Sequence, residues 1–154
     1  MWRTRLICFV WLVVIGGAAL VGAAPWVAVA FIHIGDEAND APSRAQVELE
    51  GRVKLPPDVG DLHARLQEAW MDRWMVARFS IAPGELPDLL ASSDFGALSI
   101  GPLPFELPAG DAPDWWTPGS ARSYVTGKVA HGAILVDEDR PDRYVVYLYR
   151  YYAF

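Results

Sequence analysis

The stretch RYVVYLYRYYA, residues 143–153, decides the fold. It is rich in tyrosine and valine, a composition typical of β-strands. Alternate side chains of a strand point to opposite faces of a sheet, so this one has two faces. One face carries Val145, Tyr147, Tyr149 and Tyr151, and the other carries Tyr144, Val146, Leu148, Arg150 and Tyr152. Because exposed edge strands are seldom apolar on both faces, we expect a central strand with one face on the core and the other on a helix, a loop or another chain.

The neighbouring segments extend this sheet. Residues 133–136 form a short apolar run, and the polar turn at 137–142 predicts a β-hairpin that joins this run to residues 143–153. Residues 123–129 have the pattern of a further strand. Residues 73–81 alternate between apolar and polar side chains and predict a strand as well.

The preceding part of the chain is less uniform. Residues 46–55 alternate between apolar and charged side chains, which predicts a strand that ends at the following prolines. Residues 60–70 fit a helix or a strand, and residues 85–90 predict a short helix. Residues 94–120 contain five prolines and predict a long loop. The expected fold class is α+β, with an antiparallel sheet of four to six strands and one or two short helices.

A long apolar segment precedes this domain. Residues 6–34 contain no charged side chain other than His33 and would span about 43 Å as a helix, more than the ~30 Å hydrocarbon core of a bilayer. Arg3 and Arg5 precede the segment and acidic residues follow it, which predicts a cytoplasmic N-terminus and a domain on the far side. We therefore expect an uncleaved, single-pass transmembrane helix, with a cleaved signal peptide as the alternative. Pro25 should kink or end the helix.

Small residues in this segment offer a surface for helix packing. Close approach of two membrane helices needs small side chains at positions four residues apart. The candidates are Gly16, Gly17, Ala18, Ala19, Gly22 and Ala23. The predicted organisation is thus a cytoplasmic tip and anchor at 1–34, a linker at 35–46 and an extracytoplasmic domain at 47–154.

Several short motifs resemble those of one class of proteins. The motifs are LPPD at 55–58, Asp72, RFSIAP at 78–83, WWTP at 115–118, and ILVD at 134–137 before a tyrosine-rich strand. Over residues 55–150 the chain resembles small bacterial exported or membrane-anchored proteins of no assigned activity. The resemblance implies a similar α+β domain with a strand at 60–66, and it supplies no catalytic residues. With the predicted anchor, it places the protein in the bacterial inner membrane with its domain in the periplasm or outside the cell.

Charge and motif content exclude some functions. The net charge is −6, and the residues after position 35 carry all 19 acidic side chains and 11 of the 13 basic ones, which disfavours binding to nucleic acid. His63 and His131 lack the spacing of metal ligands, and Cys8 is the only cysteine. The sequence contains no nucleophile turn and no glycine-rich phosphate loop. It therefore predicts no catalytic, cofactor-binding or metal-binding residue.

These observations predict a non-enzymatic accessory or assembly subunit. Its domain would pack on a larger integral-membrane complex, such as a respiratory or photosynthetic one, while its anchor lies in the lipid bilayer. Aromatic side chains are the candidates for a partner surface or a ligand pocket. They are Trp115, Trp116, Tyr147, Tyr149 and Tyr151. The alternatives are a periplasmic ligand-binding or sensor domain and, third, a hydrolase with an unrecognised site.

Overall fold

The structure, a computed structural model, describes residues 37–68, 72–105 and 112–153. The strands are β1 (Glu37–Asn39), β2 (Gly60–Glu68), β3 (Asp72–Ile81), β4 (Tyr124–Val129), β5 (Gly132–Asp137) and β6 (Tyr144–Ala153). The helices are α1 (Arg44–Gly51) and α2 (Leu86–Ala91). The strands form one sheet in the spatial order β1-β2-β3-β6-β5-β4, and each neighbouring pair is antiparallel.

The centre of the sheet is the pair β3 and β6, which are hydrogen-bonded over their full length. Both strands are rich in β-branched and aromatic side chains, which pack well on a pleated surface. The strands predicted at 73–81 and 143–153 are confirmed, as is the hairpin between 133–136 and the last strand. As expected for a central strand, β6 has β3 on one side and β5 on the other.

One face of the sheet, here called the helix face, carries the larger hydrophobic core. Val47 of α1 and Leu89 of α2 are fully buried in this core. The largest buried side chains that they join from the sheet are Met75, Phe79, Ile81, Ile134, Val136, Val146 and Leu148. The two short helices thus cover the alternate residues of the central strands that point to this face.

The strand predicted at 46–55 is wrong, because α1 occupies most of this segment. The Oγ of Ser43 accepts a hydrogen bond from the backbone N–H of Gln46 at 3.3 Å, and the Gln46 Oε1 accepts one from the Ser43 N–H at 2.9 Å. This reciprocal cap satisfies two backbone donors that would otherwise lack partners at the start of the helix. Arg52, with a left-handed φ of 50°, ends the helix. Of the apolar side chains in the predicted alternation, Val47, Val53 and Leu55 are buried, whereas Leu49 on the helix is 74% exposed.

The end of α1 lies directly against β6. A Cβ added to Gly51 would be 2.8 Å from the Leu148 Cδ2, so only glycine permits this approach. The Gly51 carbonyl accepts a hydrogen bond of 2.9 Å from the Nε of Arg150, whose side chain is 1% exposed. The same guanidinium group forms a bidentate ion pair with Asp94 and lies 4.2 Å from the ring centroid of Phe95. Arg150 therefore connects β6 to α1 and to the loop after α2.

The ambiguous residues 60–70 form β2 up to position 68, and the strand that the resemblance implied at 60–66 is present. The helix predicted at 85–90 is confirmed as α2, with a proline in its first turn. The sequence did not predict β1, a three-residue strand that pairs with the end of β2. Both β1 and the start of α1 fall within the segment predicted as a linker at 35–46.

The predicted fold class, α+β with an N-terminal transmembrane helix, needs correction. The described residues form a mostly antiparallel sheet with helices of only eight and six residues, each with few buried side chains. Such helices cover part of the sheet and do not build a layer of their own. Among the described residues, no helix is long and apolar enough to cross a membrane. The predicted helix at 6–34 lies outside the described residues, as do its small-residue positions Gly16, Gly17, Ala18, Ala19, Gly22 and Ala23.

Candidate functional site

The opposite face of the sheet, here called the tyrosine face, carries Tyr147, Tyr149 and Tyr151 of β6. Val76 of β3 lies opposite Tyr149, and Leu135 of β5 lies opposite Tyr147. This face has its own small hydrophobic cluster, in which Val76, Leu135 and Tyr147 are buried. Since neither helix packs here, the loops decide which part of the face stays open.

The loop at 112–121 covers the part of this face around Tyr147. Trp116 is 7% exposed and packs edge-on against Tyr147, with ring centroids 5.4 Å apart. The Phe105 ring packs edge-on against Trp116 with centroids 5.1 Å apart, and the Thr117 hydroxyl is 3.3 Å from the Tyr147 hydroxyl. Trp115 is half-buried. Trp116 and Tyr147, both predicted as partner or pocket residues, are therefore largely covered, although Tyr147 also lines a second, smaller pocket.

The part of the tyrosine face beyond this loop forms an open cleft of about 880 Å³. Tyr149, Tyr151 and Ala133 line it from β6 and β5, and the segment at 97–104 forms the opposite wall. Lys128 and His131 also line the cleft, and none of its described lining residues is acidic. The cleft is thus an aromatic and apolar surface with one lysine, and the Asp72 carboxylate lies beside it, hydrogen-bonded to the Tyr151 hydroxyl.

Two exposed apolar side chains, Ile100 and Leu103, stand at the cleft. They are 89% and 45% exposed, and with Leu49 they are the exposed large hydrophobic side chains of the described residues. Ser99 is held by two backbone hydrogen bonds to Thr126 of β4, of 2.9 and 2.8 Å. The backbone beside Ile100 is therefore fixed to the sheet, and the exposure of Ile100 follows from this fixed position.

The two cleft tyrosines are hydrogen-bonding groups and not acid–base groups at neutral pH. The Tyr151 hydroxyl donates a hydrogen bond of 2.7 Å to the Asp72 Oδ1, and this bond, with burial and the nearby charge, raises the pKa of Tyr151 above its usual value. Burial, followed by the charge of Asp72, raises the pKa of Tyr149. Both phenols stay protonated well above pH 7, so the cleft offers aromatic area and polar hydroxyl groups.

The two histidines of the domain lie in different places. The His63 ring stacks on Trp115 with centroids 5.6 Å apart, whereas His131 is exposed at the cleft. Within the three described ranges, no group of three histidine, cysteine, aspartate or glutamate side chains is placed to hold a metal ion. The arrangement is suited to binding through contact area and hydrogen bonds.

Of the five predicted aromatic candidates, the structure brings Tyr149 and Tyr151 together in the cleft. Sequence reasoning missed the wall at 97–104 with Ile100 and Leu103. The available signal was a pair of large apolar residues within a loop rich in glycine and proline. No matching protein family, curated protein or solved structure was found for this chain, so the cleft is interpreted from its own residues.

Proposed function

We propose that this domain is a non-enzymatic interaction module and that the cleft binds an extended segment of a partner protein. The exposure of Ile100 beside a floor of tyrosines carries this proposal. Large apolar side chains that a fixed backbone holds in water mark interaction sites when they adjoin aromatic residues.

The chemistry of the cleft indicates what the partner segment offers. Ile100 and Leu103 favour apolar side chains, and full burial of one such side chain contributes about 1.5–3 kcal/mol. Lys128 favours an acidic side chain of the partner close to it, whereas the Asp72 carboxylate beside Tyr151 disfavours one at that end of the cleft. The hydroxyl groups of Tyr149 and Tyr151 supply polar contacts for its backbone. The fitting segment in this proposal is therefore extended, with apolar side chains toward Ile100 and Leu103 and an acidic residue toward Lys128.

The location expected from the sequence makes a membrane complex the proposed source of this segment. In this proposal the domain lies on the far side of the cytoplasmic membrane and acts as an accessory or assembly subunit. The Ser99–Thr126 pairing supports an extended segment as the occupant, because it is one example of an extended backbone bound at this edge of the sheet.

Site-specific photo-crosslinking tests the proposal. A benzoylphenylalanine replaces Ile100 in the full chain, and in a matched control it replaces Leu49, which is 74% exposed on α1. We expect one protein adduct from position 100, its loss when Tyr149→Ala is added, and no such adduct from position 49. Equal adducts from both positions, or none from position 100, would contradict the proposal.

The captured partner then allows a quantitative test. Ile100→Ser should weaken binding of the purified partner by about 10- to 100-fold, the loss of one buried apolar side chain, while Leu49→Ser should leave binding unchanged. Equal effects of the two substitutions would show that the cleft is not the interface.

A ligand-binding domain is the second candidate. The cleft volume of about 880 Å³ falls in the range of small-molecule sites, which supports this alternative. Native mass spectrometry of the purified full chain distinguishes the two: a retained small molecule that is lost in Tyr149→Ala would favour the ligand.

A further inference from the structure

A second, smaller pocket of about 280 Å³ lies at the opposite end of the tyrosine face. It is distinct from the cleft, since the two share none of their lining residues. Three arginines line this pocket from separate parts of the chain: Arg78 on β3, Arg140 in the β5–β6 turn and Arg143 just before β6. Hydroxyl groups of Ser80, Thr117, Ser120 and Tyr147 also line it.

These guanidinium groups have spare hydrogen-bonding capacity. Among the described residues, Arg78, Arg140 and Arg143 form no ion pair within 4.0 Å, although three aspartates line the same pocket. The Arg78 Nε is buried and has no hydrogen-bond partner in the described part of the chain. That atom is closed to solvent, so an anion in the pocket would bind the terminal N–H groups of Arg78 instead.

The backbone makes room for one of these groups. A Cβ added to Gly60 would lie 2.1 Å from the Arg143 Nη2, so the absence of a side chain at position 60 lets the guanidinium group lie there. The Arg143 Nε donates a 2.8 Å hydrogen bond to the Ser80 Oγ, which orients the side chain. Arg143 is therefore held in place, and it still carries N–H groups for a ligand.

The nearby aspartates do not cancel this charge by direct pairing. Asp139 accepts hydrogen bonds of 2.8–3.2 Å from the backbone N–H groups of Arg122 and Ser123, which lower its pKa. The Asp137 Oδ1 accepts a bond of 2.9 Å from the Asp139 N–H. Asp61 is exposed to water. The carboxylates of Asp137 and Asp139 thus accept hydrogen bonds from backbone N–H groups, and that of Asp61 is solvated.

We propose that this pocket binds a small oxyanion, a phosphate or carboxylate group carried by a soluble molecule. Arginine forms strong, directional hydrogen bonds with both groups, and the Ser80 hydroxyl, which accepts from the Arg143 Nε, still has its own proton to donate. The pocket recognises the anionic group, and the protein partner proposed for the cleft is not required for it.

Calorimetric titration of the purified full chain at low salt tests this proposal, with inorganic phosphate and succinate as separate probes. At least one probe should bind saturably. Arg78→Gln and Arg143→Gln should each weaken its binding about tenfold or more, the loss of one charged hydrogen bond. Lys128→Gln is the matched control, because it removes one positive charge from the same sheet face but lies in the cleft. The affinity of this variant for the probe should differ less than twofold from that of the wild type.

Two further variants separate position from charge. Gly60→Ala keeps the net charge but displaces the Arg143 guanidinium, so it should weaken binding several-fold. Asp61→Asn removes the solvated carboxylate and should strengthen binding. Binding of neither probe to the wild-type chain, or equal losses from Lys128→Gln and Arg78→Gln, would overturn the proposal.

Discussion

Removal of Asp94 should destabilise the domain because it leaves the buried Arg150 without its carboxylate. Breaking a buried ion pair in this way costs about 3–5 kcal/mol when both partners are buried. Here the Arg150 side chain is 1% exposed but that of Asp94 is 43% exposed, so water replaces part of the lost interaction. The Gly51 carbonyl and the Phe95 ring also remain in contact with the guanidinium. We therefore expect Asp94→Ala to lower the free energy of unfolding by about 2–3 kcal/mol.

A double-mutant cycle in urea tests the cause of this loss. Arg150→Met removes the buried charge and keeps an apolar side chain of similar length. In that background Asp94→Ala becomes an ordinary surface substitution, which should change stability by less than about 0.5 kcal/mol. The coupling energy between the two sites should then be about 2 kcal/mol. The same cost of Asp94→Ala in both backgrounds would refute the reasoning.

The ion pair also has a defined pH dependence. Burial of the Asp94 carboxylate raises its pKa, but the hydrogen bond and charge of Arg150 outweigh this effect, and the folded pKa lies below the usual value. The unfolded chain therefore takes up the proton at higher pH than the folded chain. The stability from this pair is present above the unfolded pKa of about 3.9 and is lost as pH falls through the folded value. Between about pH 5 and pH 3 the wild type should lose more stability than Asp94→Ala, as urea titrations at each pH will measure.

Three other predictions follow from packing and from the N-terminal sequence. Gly51→Ala should cost about 1–3 kcal/mol in urea unfolding because its Cβ would meet the buried Leu148, whereas Gly84→Ala, with open space around it, should leave stability nearly unchanged. Tyr147→Ala should lower the free energy of unfolding by about 3–5 kcal/mol and Tyr149→Ala by clearly less. The reason is that the Tyr147 side chain is 2% exposed, whereas Tyr149 lines the open cleft. Equal losses of stability from the two substitutions would contradict this division of the face. The predicted membrane location should appear as retention of the chain in carbonate-washed membranes with an unprocessed N-terminal mass, and release or a shortened N-terminus would contradict it.

The strand at 73–81 could be predicted from the sequence because its side chains alternate with a period of two, and the strand at 143–153 because its tyrosine and valine content is typical of strands. The same rule failed at 46–55, where the alternation is present but the Ser43–Gln46 cap favours a helix. That cap was readable as a serine followed three residues later by a glutamine. A local hydrogen-bonding pattern thus overrode the hydrophobic pattern over one short segment.

The sequence by itself determined that residues 143–153 form a two-faced strand and that its tyrosines share one face. Only the tertiary structure decided which of them are covered: Trp116 buries Tyr147, while Tyr149 stays at an open cleft. It also brought Arg78 and Arg143, 65 positions apart, to one pocket. Periodicity is a local property and fixes the direction of each side chain relative to its own strand. The partner on that face depends on the strand order and the path of distant loops, which arise from packing of the whole chain.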